Sequence, residues 1–240
     1  MLMQIPLNIL HDYIGAIVMG GLSIDLLRRN HRKPNSTTLH FGLATACMAL
    51  ATIAFGFPAL LTHDTYRLSI GTFVGDLFAT AAMLFLWFIS IRAFLATRPR
   101  LSQIANVLVV LLTVACIAEG IHRNLTPPYG TSVIVHDGGQ LALVYTDSLL
   151  YKILNPIDSL ALVLISIYFF RQASIPTEKS QRLRLKSVSI GFIFGALAFL
   201  ITPTLPLNQQ LPFTAIMLGI GFLTIAIAGI MSIWLMPKER

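Results

Sequence analysis

The chain has 240 residues, of which 55% are hydrophobic and 11% charged, and its mean hydropathy is +0.77. Soluble domains carry about 25% charged residues, so this composition excludes a soluble globular protein and indicates an integral membrane protein. The formal net charge of +7 does not indicate nucleic-acid binding, because the basic residues flank apolar segments, where they orient a membrane protein and attract anionic lipid.

Seven apolar segments are long enough to cross the membrane as helices, which takes about 20 residues for a hydrocarbon core of ~30 Å. In chain order they cover residues 5–27, 39–61, 68–95, 104–121, 149–170, 188–205 and 213–236. The sequence therefore predicts an all-α integral membrane protein, a seven-transmembrane helix bundle that forms a single domain over residues 1–240.

The basic residues predict the orientation of this bundle, because Lys and Arg near span ends stay on the cytoplasmic side. Fourteen of the 17 lie in alternate connections: Arg28, Arg29, Arg32, Lys33, Arg92, Arg98, Arg100, Arg171, Lys179, Arg182, Arg184, Lys186, Lys238 and Arg240. We therefore expect the N-terminus outside and the C-terminus in the cytoplasm. The expected location is the cell inner membrane, as a multi-pass protein.

Two connections are long enough to have structure of their own. The outer one, about residues 124–147, contains β-prone runs at 133–135 and 141–145 around Asp137-Gly138-Gly139, a turn signal between strand formers. It predicts a short extracellular β-hairpin between the fourth and fifth helices. The inner one, about residues 171–187, is polar and basic and is expected to be a cytoplasmic loop.

The third span contains one acidic residue, Asp76, well inside its apolar run. A carboxylate at the bilayer centre costs about 2.5–3.5 kcal/mol on insertion scales, so such residues face the bundle interior or water and have partners. Thr72, Asp76 and Thr80 are spaced i, i+4 and i+8, which places them on one helix face. Asp76 is therefore expected to point inward, in the outer half of the bundle.

Three other spans have polar residues at the same end, and together they predict an outward-facing acidic pocket. A cationic, polar or lipid-derived ligand would suit it, since acidic groups attract positive charge. The expected ligand-binding residues are Asp76, Asp158, Glu119, His122, Asp12, His11, Asn155 and Tyr151.

Each of these residues also has a purely structural interpretation. Glu119 and Arg123 are four residues apart and can neutralise one another. Asp12 is close enough to the outer end to be hydrated, and His11 can be a headgroup contact. Asp76 can be a packing partner for a buried cation, for which His122 and Arg123 are the candidates.

A metal site has only weak support in the sequence, and the metal is unknown. No two histidines have the i, i+3 or i, i+4 spacing of a helical Zn²⁺ site, although His11, Asp76, His122 and Asp158 could converge from different helices. His40 and His122 are expected near opposite membrane faces, which argues against haem. Catalytic residues are not predicted.

Seven spans with an outside N-terminus resemble the layout of rhodopsins and of the receptor-like sensor regions of bacterial kinases. The resemblance concerns layout alone. A retinal protein needs a Lys in its last span, and residues 213–236 contain none, so covalently bound retinal is excluded. No effector sequence follows Arg240, so we expect a sensor either to act through a separate cytoplasmic effector protein or to be a fragment of a longer chain.

The sequence thus favours a receptor-like binding or sensory module, with membrane lipids and an effector as partners, over an enzyme. A small-solute or ion transporter is one alternative, with Pro58, Pro156 and Pro203 as candidate helix breaks. A metal-dependent intramembrane hydrolase is the other.

Overall fold

The computed structural model describes residues 7–61, 64–127, 133–136, 140–143, 149–175 and 179–234. Their main elements are seven α-helices, with a short 3-10 helix, Thr202–Thr204, after the sixth. The helices are α1 Leu7–Arg32, α2 Ser36–Leu61, α3 Thr65–Leu95, α4 Pro99–Leu125, α5 Leu149–Ser174, α6 Lys179–Ile201 and α7 Leu207–Trp234. Several of them extend past the predicted apolar segments, because polar residues at the span ends continue the helix.

Five of the helices in the described residues, α2 to α6, are long and apolar enough to cross a membrane. The prediction of a multi-pass helical membrane protein is therefore confirmed. The same criterion does not select α1, and the apolar stretch of α7, Pro212–Ile227, is shorter than a full span. The predicted number of seven spans, and their orientation, remain predictions.

Two short strands lie between α4 and α5, β1 Val133–His136 and β2 Gln140–Leu143. They pair antiparallel, with Val133 opposite Leu143 and His136 opposite Gln140. The predicted turn at 137–139 and the continuation to residue 145 lie outside the described residues. The extracellular hairpin as a whole, and its side of the membrane, remain predictions.

Six helices form a ring in which each packs against the next, in the order α1, α2, α3, α5, α6, α7 and back to α1. The centre of the ring is apolar, with Phe41, Leu86, Ile165 and Phe192 buried in one cluster. α4 is outside this ring and packs chiefly against α3. Its outer face is apolar and exposed, as suits contact with lipid: Leu101, Ile104, Val107, Leu108, Leu111 and Val114.

Small and hydroxylated residues hold the neighbouring helices close together. The Ser166 hydroxyl of α5 donates to the Ser189 carbonyl of α6 at 3.0 Å, and the Ser189 hydroxyl donates back to the Ser166 carbonyl at 2.9 Å. Between α6 and α7, a Cβ added to Gly191 would lie 3.0 Å from the carbonyl oxygen of Gly221. Such close approach is the usual means of helix association in lipid.

Opposite ends of the bundle carry opposite charge among the described side chains. At the end formed by the α1 C-terminus and the α6 N-terminus, Asp25 pairs with Arg29 at 3.0 Å and with Arg184 at 3.1 Å. The other charged side chains described at this end are basic: Arg28, Arg32, Lys33, Arg92, Arg98, Arg100, Arg171, Arg182 and Lys186. The other end holds five of the six described acidic side chains, so the predicted acidic pocket would lie there.

Candidate functional site: an acidic corner of α3, α4 and α5

Asp76 lies on α3 and is paired with the last turn of α4. Its Oδ2 accepts a hydrogen bond from Nη2 of Arg123 at 2.6 Å and another from Nδ2 of Asn124 at 2.9 Å. The side chains of Asp76 and Arg123 are 23% and 11% exposed. An ion pair this short and this well covered holds the two helices together, so the structural interpretation of Asp76 has direct geometric support.

Asn124 and Ser69 complete this contact. The Ser69 hydroxyl donates to the carbonyl oxygen of Asn124 at 2.5 Å, and both residues are fully buried. We call the four residues Ser69, Asp76, Arg123 and Asn124 the α3–α4 clasp. Sequence reasoning missed Ser69 and Asn124, although Ser69 precedes Asp76 by seven residues and so lies on the same helix face.

Asp158 approaches the same region from α5. It lines a small space of about 10 Å³ together with Thr80 and Trp87 of α3 and Cys116 of α4, which is room for little more than one water molecule. Its side chain is partly buried. Among the described residues it forms no hydrogen bond or ion pair, and the indole nitrogen of Trp87 also has no hydrogen-bond partner there.

Glu119 adds a third carboxyl group. It lies one helical turn before Arg123 on α4 and is close enough to interact electrostatically with both Asp76 and Cys116. Cys116 is in turn within electrostatic range of Asp158. Asp76, Glu119 and Arg123 thus lie near one another at the contact of α3 with α4, and Asp158 of α5 is linked to them through Cys116. We call these four residues, Asp76, Glu119, Asp158 and Arg123, the acidic corner.

Asn155 borders the acidic corner one turn before Asp158 on α5. Its side chain is 6% exposed, and its amide nitrogen finds no hydrogen-bond acceptor among the described residues. Buried donors are normally paired, and an unpaired one needs an explanation. An acceptor oxygen of a ligand would satisfy this donor.

The remaining predicted site residues are not part of the acidic corner as far as the described residues show. Asp12 packs at the contact of α1 with α2, where a Cβ added to Gly56 would lie 3.1 Å from the Asp12 Cβ. His122 is exposed on α4. The side chains of His11 and Tyr151 lie outside the described residues, so their part in a site remains a prediction.

In the part of the chain that the structure describes, no group of three His, Cys, Asp or Glu side chains could hold a metal ion. Cys47 and Cys116 are both free thiols. What the acidic corner can do chemically is bind positive charge, since it has more carboxyl groups than cations and its surroundings are apolar.

Comparison with known proteins adds no assignment, because no protein-family model matches the chain and no curated protein is significantly similar to it.

Proposed function

We propose that the protein is a membrane sensory module that binds a cationic ligand at the acidic corner and signals through a separate cytoplasmic partner. The observation that carries this proposal is the lack of a described partner for the Asp158 carboxylate. A partly buried carboxylate normally has a partner, and within the described residues Asp158 has none. The single guanidinium of the corner, that of Arg123, is already bound to Asp76.

The clasp suggests how binding is transmitted. A cation between α4 and α5 is attracted by Asp158 and Glu119 and competes with Arg123 for Asp76. Because α4 packs chiefly against α3 and the clasp fastens its last turn, loosening the clasp releases α4 from the bundle at this end. Binding changes the conformation only if the ligand prefers the loosened state, and competition with Arg123 supplies that preference.

The proposal includes the finer topology expected from the sequence. At 1.5 Å per residue, α1 and α7 are about 39 and 42 Å long, and both are members of the helix ring, which supports seven spans. The basic end of the bundle is assigned to the cytoplasm by the positive-inside rule. The acidic corner, the N-terminus and the hairpin then face outward, in a cell inner membrane.

Asp158→Asn is the variant that tests the ligand site. It keeps the shape of the side chain and removes the charge, and burying a neutral amide costs less than burying an unpaired carboxylate. The melting temperature without ligand should therefore be equal to or above that of the parent. Asp64→Asn is the matched control, because Asp64 is an exposed acid at the same end of the bundle.

The assay is thermal unfolding in a neutral detergent, with Ca²⁺, ammonium and methylammonium as the cations tested, because the space beside Asp158 is small. A ligand at 100 times its Kd stabilises a protein by about 2.7 kcal/mol, or about 5–11 °C for a chain of this size. The parent and Asp64→Asn should show the shift with at least one cation, and Asp158→Asn should not. An equal shift in all three proteins, or none in the parent, would refute the proposed site.

No feature of the described residues specifically supports either alternative, transport or metal-dependent hydrolysis. They are not proposed.

A further inference from the structure

A groove of about 850 Å³ lies between α2, α3 and α4, at the opposite end of α4 from the clasp. It is bordered by the first turns of α2 and α4 and by the last turns of α3. This volume is within the range of about 300–1,000 Å³ typical of ligand sites. The groove is separate from the acidic corner and would exist whether or not that corner binds a cation.

One end of the groove is polar and carries a cation that has no counter-ion among the described residues. Arg92, His40, Ser102 and Asn106 line it. Arg92 forms no ion pair or hydrogen bond with any residue in the described ranges, and Asp25, the one described acid at this end, is engaged by Arg29 and Arg184. His40 Nδ1 is buried and likewise has no partner among these residues.

The other walls of the groove are apolar and open toward the lipid. Phe88 and Ile91 of α3 face Val107, Val110 and Leu111 of α4. Val107 and Leu111 are 60% and 59% exposed, so the groove is open on the side of α4. A hydrocarbon chain can therefore enter from the bilayer without crossing the protein.

We propose that this groove is a binding site for one acidic phospholipid of the adjoining leaflet. The phosphate is held by the Arg92 guanidinium, with the Ser102 hydroxyl and the His40 imidazole as further hydrogen-bond donors. One acyl chain packs along Phe88, Val107 and Val110. Charge complementarity selects an anionic headgroup, and the open apolar wall selects a lipid over a soluble phosphate, which would leave that wall uncovered.

Native mass spectrometry of the full chain in a neutral detergent tests this site by counting bound lipids. The probes are phosphatidylglycerol, phosphatidylcholine of the same acyl chains, and glycerol 3-phosphate as a soluble headgroup. Both lipids have a phosphate that can accept charge-assisted hydrogen bonds from Arg92, but the choline of phosphatidylcholine offsets the negative charge of its phosphate. Phosphatidylglycerol keeps a net negative charge and should therefore bind at least about tenfold more tightly. Glycerol 3-phosphate at the same concentration should not compete.

Two variants locate the lipid. Arg92→Ala should lower phosphatidylglycerol affinity about tenfold or more, to the phosphatidylcholine level. Arg98 is an exposed arginine at the same end that does not line the groove. Arg98→Ala should therefore change the phosphatidylglycerol affinity less than about twofold, since a neutral micelle has no anionic surface to attract this arginine. Val110→Trp fills the apolar wall and should weaken both lipids.

Several outcomes would overturn the proposal. Equal loss in Arg92→Ala and Arg98→Ala would mean that the basic end attracts anions in general. Unchanged binding in Arg92→Ala would place the lipid elsewhere. Effective competition by glycerol 3-phosphate would make the site one for a soluble phosphate. Arg92 is exposed, so its replacement should leave the melting temperature without lipid unchanged, and that measurement separates lost binding from lost folding.

Discussion

Replacing Asp76 with Asn removes the charge from the α3–α4 clasp and leaves its shape in place. The neutral amide still offers one oxygen to Arg123 and Asn124, but the guanidinium loses the carboxylate that lies 2.6 Å away. Because the Arg123 side chain is only 11% exposed, solvent cannot fully replace that partner. We expect the variant to fold and to be clearly less stable.

The size of the loss follows from the burial of the pair. Removing one partner of a fully buried ion pair costs about 3–5 kcal/mol. Asp76 is 23% exposed, and Glu119 stays within range of the corner as a second acid, so we expect ~2–3 kcal/mol here. For a chain of this size this corresponds to a fall in melting temperature of about 4–12 °C.

Thermal unfolding in detergent measures this fall, with Asp64→Asn as the control. Asp64 caps the N-terminus of α3 and pairs with Arg67 at 3.6 Å, but both side chains are more than half exposed. Asn caps a helix as well as Asp does, and exposed pairs contribute little, so the control should change stability by less than ~0.5 kcal/mol.

Adding Arg123→Gln to Asp76→Asn provides a further check. If the two residues stabilise each other, the double variant should be more stable than the sum of the single losses predicts. A melting temperature for Asp76→Asn within 1–2 °C of the parent, roughly the size of the control effect, would show that the clasp does not stabilise the bundle.

Two other predictions concern orientation and packing. In a cysteine-free background, cysteines at Arg32 and Arg182 should stay unlabelled by a membrane-impermeant reagent in intact cells, and a cysteine at His136 should be labelled; labelling at 32 from outside would reverse the orientation. Gly191→Ala should lower stability by ~1–3 kcal/mol, because the new Cβ would lie 2.6 Å from Ile225 Cγ1. In Gly21→Ala the new Cβ has no neighbour within 4 Å, so this variant should not be less stable than the parent. Equal melting temperatures for the two glycine variants would contradict the close approach of α6 and α7.

The membrane class and the helices were predictable from sequence because the hydrocarbon core imposes a fixed length of apolar chain. The ends of the helices were less predictable. The sequence predicts a cytoplasmic loop over about residues 171–187, yet α5 continues to Ser174 and α6 begins at Lys179. Nothing in a polar sequence forbids a helix from continuing into the headgroup region. Conversely α6 ends at Ile201, where Thr202-Pro203 begins a 3-10 turn.

The site was predictable in part, for a related reason. Helical periodicity indicates which residues share a face of one helix, so it correctly groups Thr72 with Asp76. It does not say which helices are neighbours. The arrangement of α3 between α2, α4 and α5 brings Asp158 to Cys116 of α4 and leaves Asp12 against α2. This depends on packing between residues far apart in the chain.

The most direct test of the account is the position of α4 with and without a bound cation. Spin labels at the exposed residues Leu125 of α4 and Ile153 of α5 report the distance across the acidic corner. With the cation that stabilises the parent, this distance should increase by ~1–2 Å or more, the scale of helix shifts in switching proteins, and Asp158→Asn should show no change. An unchanged distance in the parent at saturating cation would contradict the claim that ligand binding loosens the clasp.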